Sequence, residues 1–171
     1  MSNDSNFSQE VMPREDFSYS SIPFSPQVSF TLRLNSAVFF YDQELAGPAH
    51  LIAHLIFCST VTPPIVLEFF SLQHFDLVII NDAGGEVYRW SAGRKFPMIA
   101  TNVPVFGEEH WTVDVTLADP TGVPLPAGHY IAQSYLVTHT DPGTRNPVAF
   151  AKKYAASVEF SIQNRLGTAS S

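Results

Sequence analysis

The sequence predicts an all-β fold, a sandwich of about eight strands, on three observations. Apolar residues recur with a period of two in separate segments, as they do where one strand face lies on a core. Short apolar runs bounded by Pro, Gly, Asp or Asn fill the middle of the chain. Helical pattern is almost absent: the one helix candidate is the short segment Phe150 to Ala156. No internal repeat occurs, which argues against a propeller or solenoid.

The elements follow in order. Residues 1–26 are rich in Ser, Asn, Asp and Glu, carry Pro13, Pro23 and Pro26, and are expected to form a flexible tail. From Gln27 the pattern alternates: Val28, Phe30, Leu32 and Leu34 against Ser29, Thr31, Arg33 and Asn35. The runs His50 to Cys58, Ile65 to Phe70 and Phe75 to Ile80 alternate little and read as strands covered on both faces. Asn81-Asp82-Ala83-Gly84-Gly85 then makes a hairpin turn into Glu86–Ser91, its glycines supplying positive φ. Alternation returns at Trp111, Val113, Val115 and Leu117, and again at Val158, Phe160 and Ile162. Between them the Asp119 to Gly128 turn region leads into a strand from Tyr130 to Thr138, and Asp141 to Pro147 is dense in turn residues. The expected organisation is a tail over 1–26, one sandwich over 27–163 and a C-terminal tail over 164–171.

Composition sets the class. The chain has 171 residues, 45% of them hydrophobic and 15% charged, with 14 Phe and 6 Tyr, too much apolar surface and too little charge for a disordered chain. The formal charge of −7, with nine Lys and Arg scattered singly or in pairs, offers no stripe for a phosphate backbone, so no nucleic-acid partner is expected, while a basic or polar protein partner is permitted. The single cysteine, Cys58, allows no internal disulfide and fits a reducing compartment. Neither a secretory leader nor an apolar run of membrane-spanning length is found, and a soluble cytoplasmic protein is expected.

Catalytic and cofactor patterns are missing. There is no phosphate-binding glycine loop, nucleophile elbow, CxxC or HExxH, so no catalytic residue, cofactor or metal is expected. His50 and His54 have the i, i+4 spacing of a helical metal pair, but on a strand they stand roughly 13 Å apart, too far for one ion. Cys58 ends an apolar run and reads as an inert thiol. Asp76 and Asp82 stand roughly 20 Å apart along one strand and read as strand-end and turn residues.

One constellation stands out. Pro64-Ile65-Val66-Leu67-Glu68-Phe69 is followed by Gln73-His74-Phe75-Asp76, then by Gly85-Glu86-Val87-Tyr88-Arg89-Trp90-Ser91 with Phe96 five residues later. Gly107-Glu108 and Pro126-Ala127-Gly128-His129-Tyr130 complete it. In this order, from Leu51 to about Ile162, the chain resembles the BsuPI-type intracellular proteinase inhibitor domain. Cys58-Ser59 and Leu72 depart from the usual pattern, where an Asn and a small residue are common. The resemblance implies an immunoglobulin-like antiparallel β-sandwich and a non-catalytic inhibitor binding a protein, an intracellular serine protease being the expected target. An immunoglobulin-like interaction module without inhibitory activity stays open as the alternative.

The motif residues Gln73, Phe75, Asp76, Gly85, Tyr88, Arg89, Trp90, Ser91, Phe96, Gly128 and Tyr130 are read as structural. Tyr88 and Trp90 are expected to share one strand face as buried rings, with Phe96 packed near them and Arg89 on the other face pairing with Asp76 or Glu68. A protease could be met by a rigid extended loop or by an unpaired edge strand. The expected contact loops are Arg145-Asn146, held between Pro142 and Pro147, and the Arg94-Lys95 turn beside Trp90.

Overall fold

Alternating burial runs through most of the strands of the computed structural model, which describes residues 18–25, 27–41, 47–138 and 154–165, the first of these by backbone alone. Eleven strands lie among them: β1 (Ser18–Ser25), β2 (Val28–Leu34), β3 (Val38–Tyr41), β4 (His50–Ser59), β5 (Ile65–Phe69), β6 (Phe75–Asn81), β7 (Glu86–Arg89), β8 (Thr101–Val105), β9 (Gly107–Thr116), β10 (Gly128–Leu136) and β11 (Ala155–Asn164). No helix occurs among the described residues. The helix candidate fails where it can be followed: Ala155 and Ala156 open β11, and Phe150 to Lys153 lie outside the described residues.

The strands form a four-stranded sheet in the order β1-β2-β4-β9, a five-stranded sheet in the order β3-β11-β10-β6-β7, and a β5-β8 ribbon. Every pairing is antiparallel except β3 with β11, which is parallel and departs from the wholly antiparallel expectation. The inner faces meet in one core. Phe30, Leu32, Leu34, Leu55, Phe57 and Val113 come from the first sheet, and Leu77, Ile79, Ala132, Val158 and Phe160 from the second. Each of these side chains except the small Ala132 contributes roughly 1.5–3 kcal/mol through removal from water.

Three strands exceed the eight expected. β1 falls in the polar stretch read as tail; it is held by backbone pairing with β2 from Ser18↔Leu34 to Ser25↔Val28, which needs no apolar period. β3 is four residues long, too short to display a period. β8 contains Pro104, which gives up a ladder donor and is tolerated in a two-stranded ribbon. The expectation of strands covered on both faces holds for β6, whose first five residues are all buried, but not for β4 or β5. There one face is core and the other carries partly exposed Ile52, His54, Ile56 and Cys58, or exposed Val66 and Glu68.

Turn chemistry frames the site. At the β6–β7 hairpin Gly84 supplies the positive φ, at 78°, and Gly85 serves closeness instead: a Cβ there would stand 3.2 Å from Asn81 Oδ1, which accepts the Gly85 N–H at 2.8 Å. At the entry to β10 the Tyr130 hydroxyl donates to the Pro126 carbonyl four residues back, at 2.7 Å, while its ring stacks on Phe160. This tyrosine corner is a feature of immunoglobulin-like sandwiches and gives the Pro126-Ala127-Gly128-His129-Tyr130 motif a structural task.

Candidate protein-contact site

The motif residues converge on Asp76. Its carboxylate is almost fully buried, 3% exposed, and accepts from five groups. Oδ1 takes the Leu77 N–H at 2.9 Å and the Ser91 N–H at 3.1 Å. Oδ2 takes Arg89 Nη1 at 2.9 Å, the Ser91 hydroxyl at 2.7 Å and the Tyr135 hydroxyl at 3.3 Å. Asp76 is therefore a buried organiser rather than a strand-end residue. Of the two partners open to Arg89, Asp76 is the one it meets.

Glu86 joins the network through a register slip. Residues three apart on a regular strand face opposite ways, but the β6–β7 pairing skips Val87, so Glu86 and Arg89 share a face. Arg89 Nε and Nη2 donate to the two Glu86 oxygens at 2.9 and 2.6 Å, and Nη1 also reaches the Tyr135 hydroxyl at 3.1 Å. The Glu86 carboxylate foremost, then Asp76 and Tyr135, drive the Arg89 pKa further up against the opposing effect of burial. Burial first, and Asp76 next, raise that of Tyr135. The network is fully satisfied: no buried side-chain donor or acceptor among the described residues lacks a partner.

Ser91 carries this order into the next turn. Ala92 N–H donates to the Arg89 carbonyl and Arg94 N–H to the Ser91 carbonyl, both at 3.1 Å, with Gly93 at φ 72° between them. The Trp90 ring lies against Phe75 at 4.4 Å between centroids, and Phe96 packs on Trp90 at 5.4 Å. These three rings are the anchor expected of the motif, with Trp90 half-buried rather than sealed in the core. Tyr88, also half-buried, has its pKa raised by burial above all. Gln73 acts locally, its Nε2 donating to the Phe75 carbonyl at 3.3 Å.

The contact candidates divide. Arg94 and Lys95 are exposed on the segment that leaves this anchor, but Arg94 is engaged: Nε donates to the Trp90 carbonyl at 2.8 Å and the guanidinium lies 4.6 Å over the Trp90 ring. Arg145 and Asn146 lie outside the described residues. An open groove of about 630 Å³ runs beside Arg94, lined in part by Tyr88, Asp114 and Asp119. The Asp119 carboxylate is committed to its own turn, where the Thr121 hydroxyl and the Thr121 and Val123 N–H groups hold its pKa down.

The histidines form no metal centre among the described residues. His50 pairs with Asp114 at 3.0 Å, and His54 faces His110 with ring centroids 5.5 Å apart, a neighbourhood that strand order creates and spacing along the chain does not show. Burial chiefly, then His110 and Arg33, lowers the His54 pKa. The Cys58 thiol lies on the outer face of β4, 3.4 Å from a Glu108 oxygen. Burial and this carboxylate raise its pKa, the reverse of what an activated nucleophile needs.

Sequence reasoning missed Tyr135 and Glu86 as parts of the Asp76 network. Tyr135 comes from a strand distant in sequence, and the parity of a regular strand hides Glu86. It also passed over Pro97-Met98-Ile99, which follows Phe96 in an apolar run with a proline and no period.

Residues 59–141 match the family model BsuPI, described as intracellular proteinase inhibitor, and the resemblance read from the motif holds over that segment. No curated protein matches. Solved structures similar to the chain include the alkylpurine DNA glycosylase AlkC of Pseudomonas fluorescens, at 13% identity and TM-score 0.40, covering 76% of this chain. The chain spans only 28% of that enzyme's length. A CARDB domain from Pyrococcus furiosus matches at 9% identity and TM-score 0.37, over 88% of this chain and 94% of that one. The C-terminal domain of wzt matches at 13% identity and TM-score 0.42, over 88% and 72%.

Proposed function

We propose that the chain is a BsuPI-type proteinase inhibitor that acts in the cytoplasm by binding a serine protease without doing chemistry of its own. The observation that carries this reading is the family match over residues 59–141, the segment that contains the Asp76 network and the loop it supports. The physical requirement on such a protein is a segment stiff enough to occupy a cleft at small entropic cost. Secreted inhibitors commonly meet it with disulfides; a chain with one cysteine must use packing and hydrogen bonds. The Phe75-Trp90-Phe96 stack and the Ser91 turn provide them here. The exposed segment 94–100, which opens with the Arg94-Lys95 turn, is the proposed contact region, with the Arg145-Asn146 loop as a second.

The test is inhibition of a panel of serine proteases, subtilisin-like enzymes included, by the full-length protein. Loss of hydrolysis of a small chromogenic substrate, in proportion to added protein, is expected for at least one of them. Undiminished activity of every enzyme in the panel, with a stable non-protease partner recovered instead, would replace the reading by that of an interaction module.

A further inference from the structure

Among the described residues, most of the exposed large hydrophobic side chains belong to one ribbon and its connections. Of the eight large hydrophobic side chains exposed among the described residues, Val66, Phe70, Leu72, Met98, Ile99 and Phe106 belong to the β5–β8 ribbon or the connections at its ends. The most exposed of them, Met98 at 81%, stands in the segment 94–100 that joins the Trp90 anchor to β8. A group of exposed apolar side chains marks a candidate contact surface, and an unbranched, adaptable one within it suits a partner's apolar pocket.

The backbone around Met98 is held on three sides. The Pro97 carbonyl accepts the Ile99 N–H at 2.9 Å, closing a γ-turn with Met98 at its apex, and also accepts the Leu72 N–H at 3.1 Å from the β5–β6 connection. Upstream, Phe96 is clamped on Trp90. Downstream, Thr101 enters β8 opposite Phe69, and its hydroxyl lies 3.1 Å from Nε2 of His74, whose ring is stacked on Phe69. The only prolyl ring in the segment precedes Met98 and fixes φ at that point.

We propose that Met98 is the side chain this protein inserts into the primary specificity pocket of its target, and that the target is a serine protease whose pocket is apolar rather than one with an acidic floor. This rests on the inhibitor reading above and deepens it. The alternative side chain nearby, Arg94, would have to give up both the Trp90 ring and the Trp90 carbonyl to enter a cleft. Met98 has only to be covered. Phe70 and Leu72, exposed beside the loop, form an apolar shoulder against the rim of the cleft.

The experiment measures inhibition by full-length wild type and single variants against two enzymes, subtilisin with its apolar pocket and trypsin with its acidic one. Met98→Asp should weaken inhibition of subtilisin on the order of 100-fold, whereas Met98→Leu should stay within about threefold. Met98→Lys should move the preference towards trypsin. Phe40→Ser alters an exposed apolar residue on the far edge strand β3 and should leave inhibition unchanged, separating a specific pocket contact from general stickiness. Because Met98 is so exposed, circular dichroism and the unfolding midpoint of its variants should match wild type. If wild type inhibits subtilisin and Met98→Asp inhibits equally well, the assignment of Met98 falls and the inhibitor reading stands. Loss with Lys95→Ala but not with Met98→Asp moves the contact to the basic turn and likewise overturns it. Wild type that inhibits no serine protease overturns both.

Discussion

Asp76 shows what one buried carboxylate can organise. It joins the start of β6 to Arg89 at the end of β7, to Tyr135 of β10, and through Ser91 to the turn beyond, so that the base of the proposed contact loop is tied to the sheet. Asp76→Ala would leave Arg89 with Glu86 as its one remaining carboxylate among these partners and leave the Leu77 and Ser91 donors unpaired. A stability loss of about 3 kcal/mol in urea unfolding near neutral pH is expected, and a loss below about 1 kcal/mol would mean that water replaces the carboxylate. The sequence offered Asp76 as a strand-end acid and as one of two candidate partners of Arg89. The pairing was legible from strand alternation, but the burial was not, because it depends on β10 covering β6 from a point more than fifty residues away.

At the scale of elements, a two-residue period reveals a strand only where one face is buried and the run is long enough to repeat. β2, β9 and β11 meet both conditions and were readable from Phe30, Val113 and Phe160 with their neighbours. β3 is too brief, β8 carries a proline, and β1 lies in a polar stretch. The β5–β8 ribbon consequently appeared as one strand with nothing beside it, and its exposed outer face could not be foreseen. His74 ties this ribbon to β6: it stacks on Phe69 at 4.1 Å, and burial, only partly offset by Glu109, lowers its pKa below the ordinary 6.5. Below that value the unfolded chain binds more protons than the native one, so the contribution of His74 to stability is full above about pH 6.5 and is lost as pH falls through its lowered native pKa. Unfolding free energy should therefore decline between about pH 7 and 5, and less steeply in His74→Asn, as followed by urea titrations across that range. An identical slope in the variant would assign the acid sensitivity to other groups, His54 first among them.

The whole molecule is a disulfide-free sandwich whose two sheets hold one core and whose ribbon, with its connections, carries most of the large hydrophobic side chains exposed among the described residues. The fold class and the motif anchor could be read from the chain because periodicity and ring-rich patterns are local. The proposed contact surface could not, since the Leu72 N–H reaches the Pro97 carbonyl, beside Met98, only once β5 and β8 pair. The central claim is that this surface stops a protease without being consumed by it. Its most direct test is a tight-binding titration of subtilisin with the intact protein, followed by mass analysis of the mixture. The account predicts a linear fall of hydrolysis to near zero at equimolar protein, with the chain recovered whole. Unchanged hydrolysis, or rapid cleavage of the chain within residues 94–100, would contradict it.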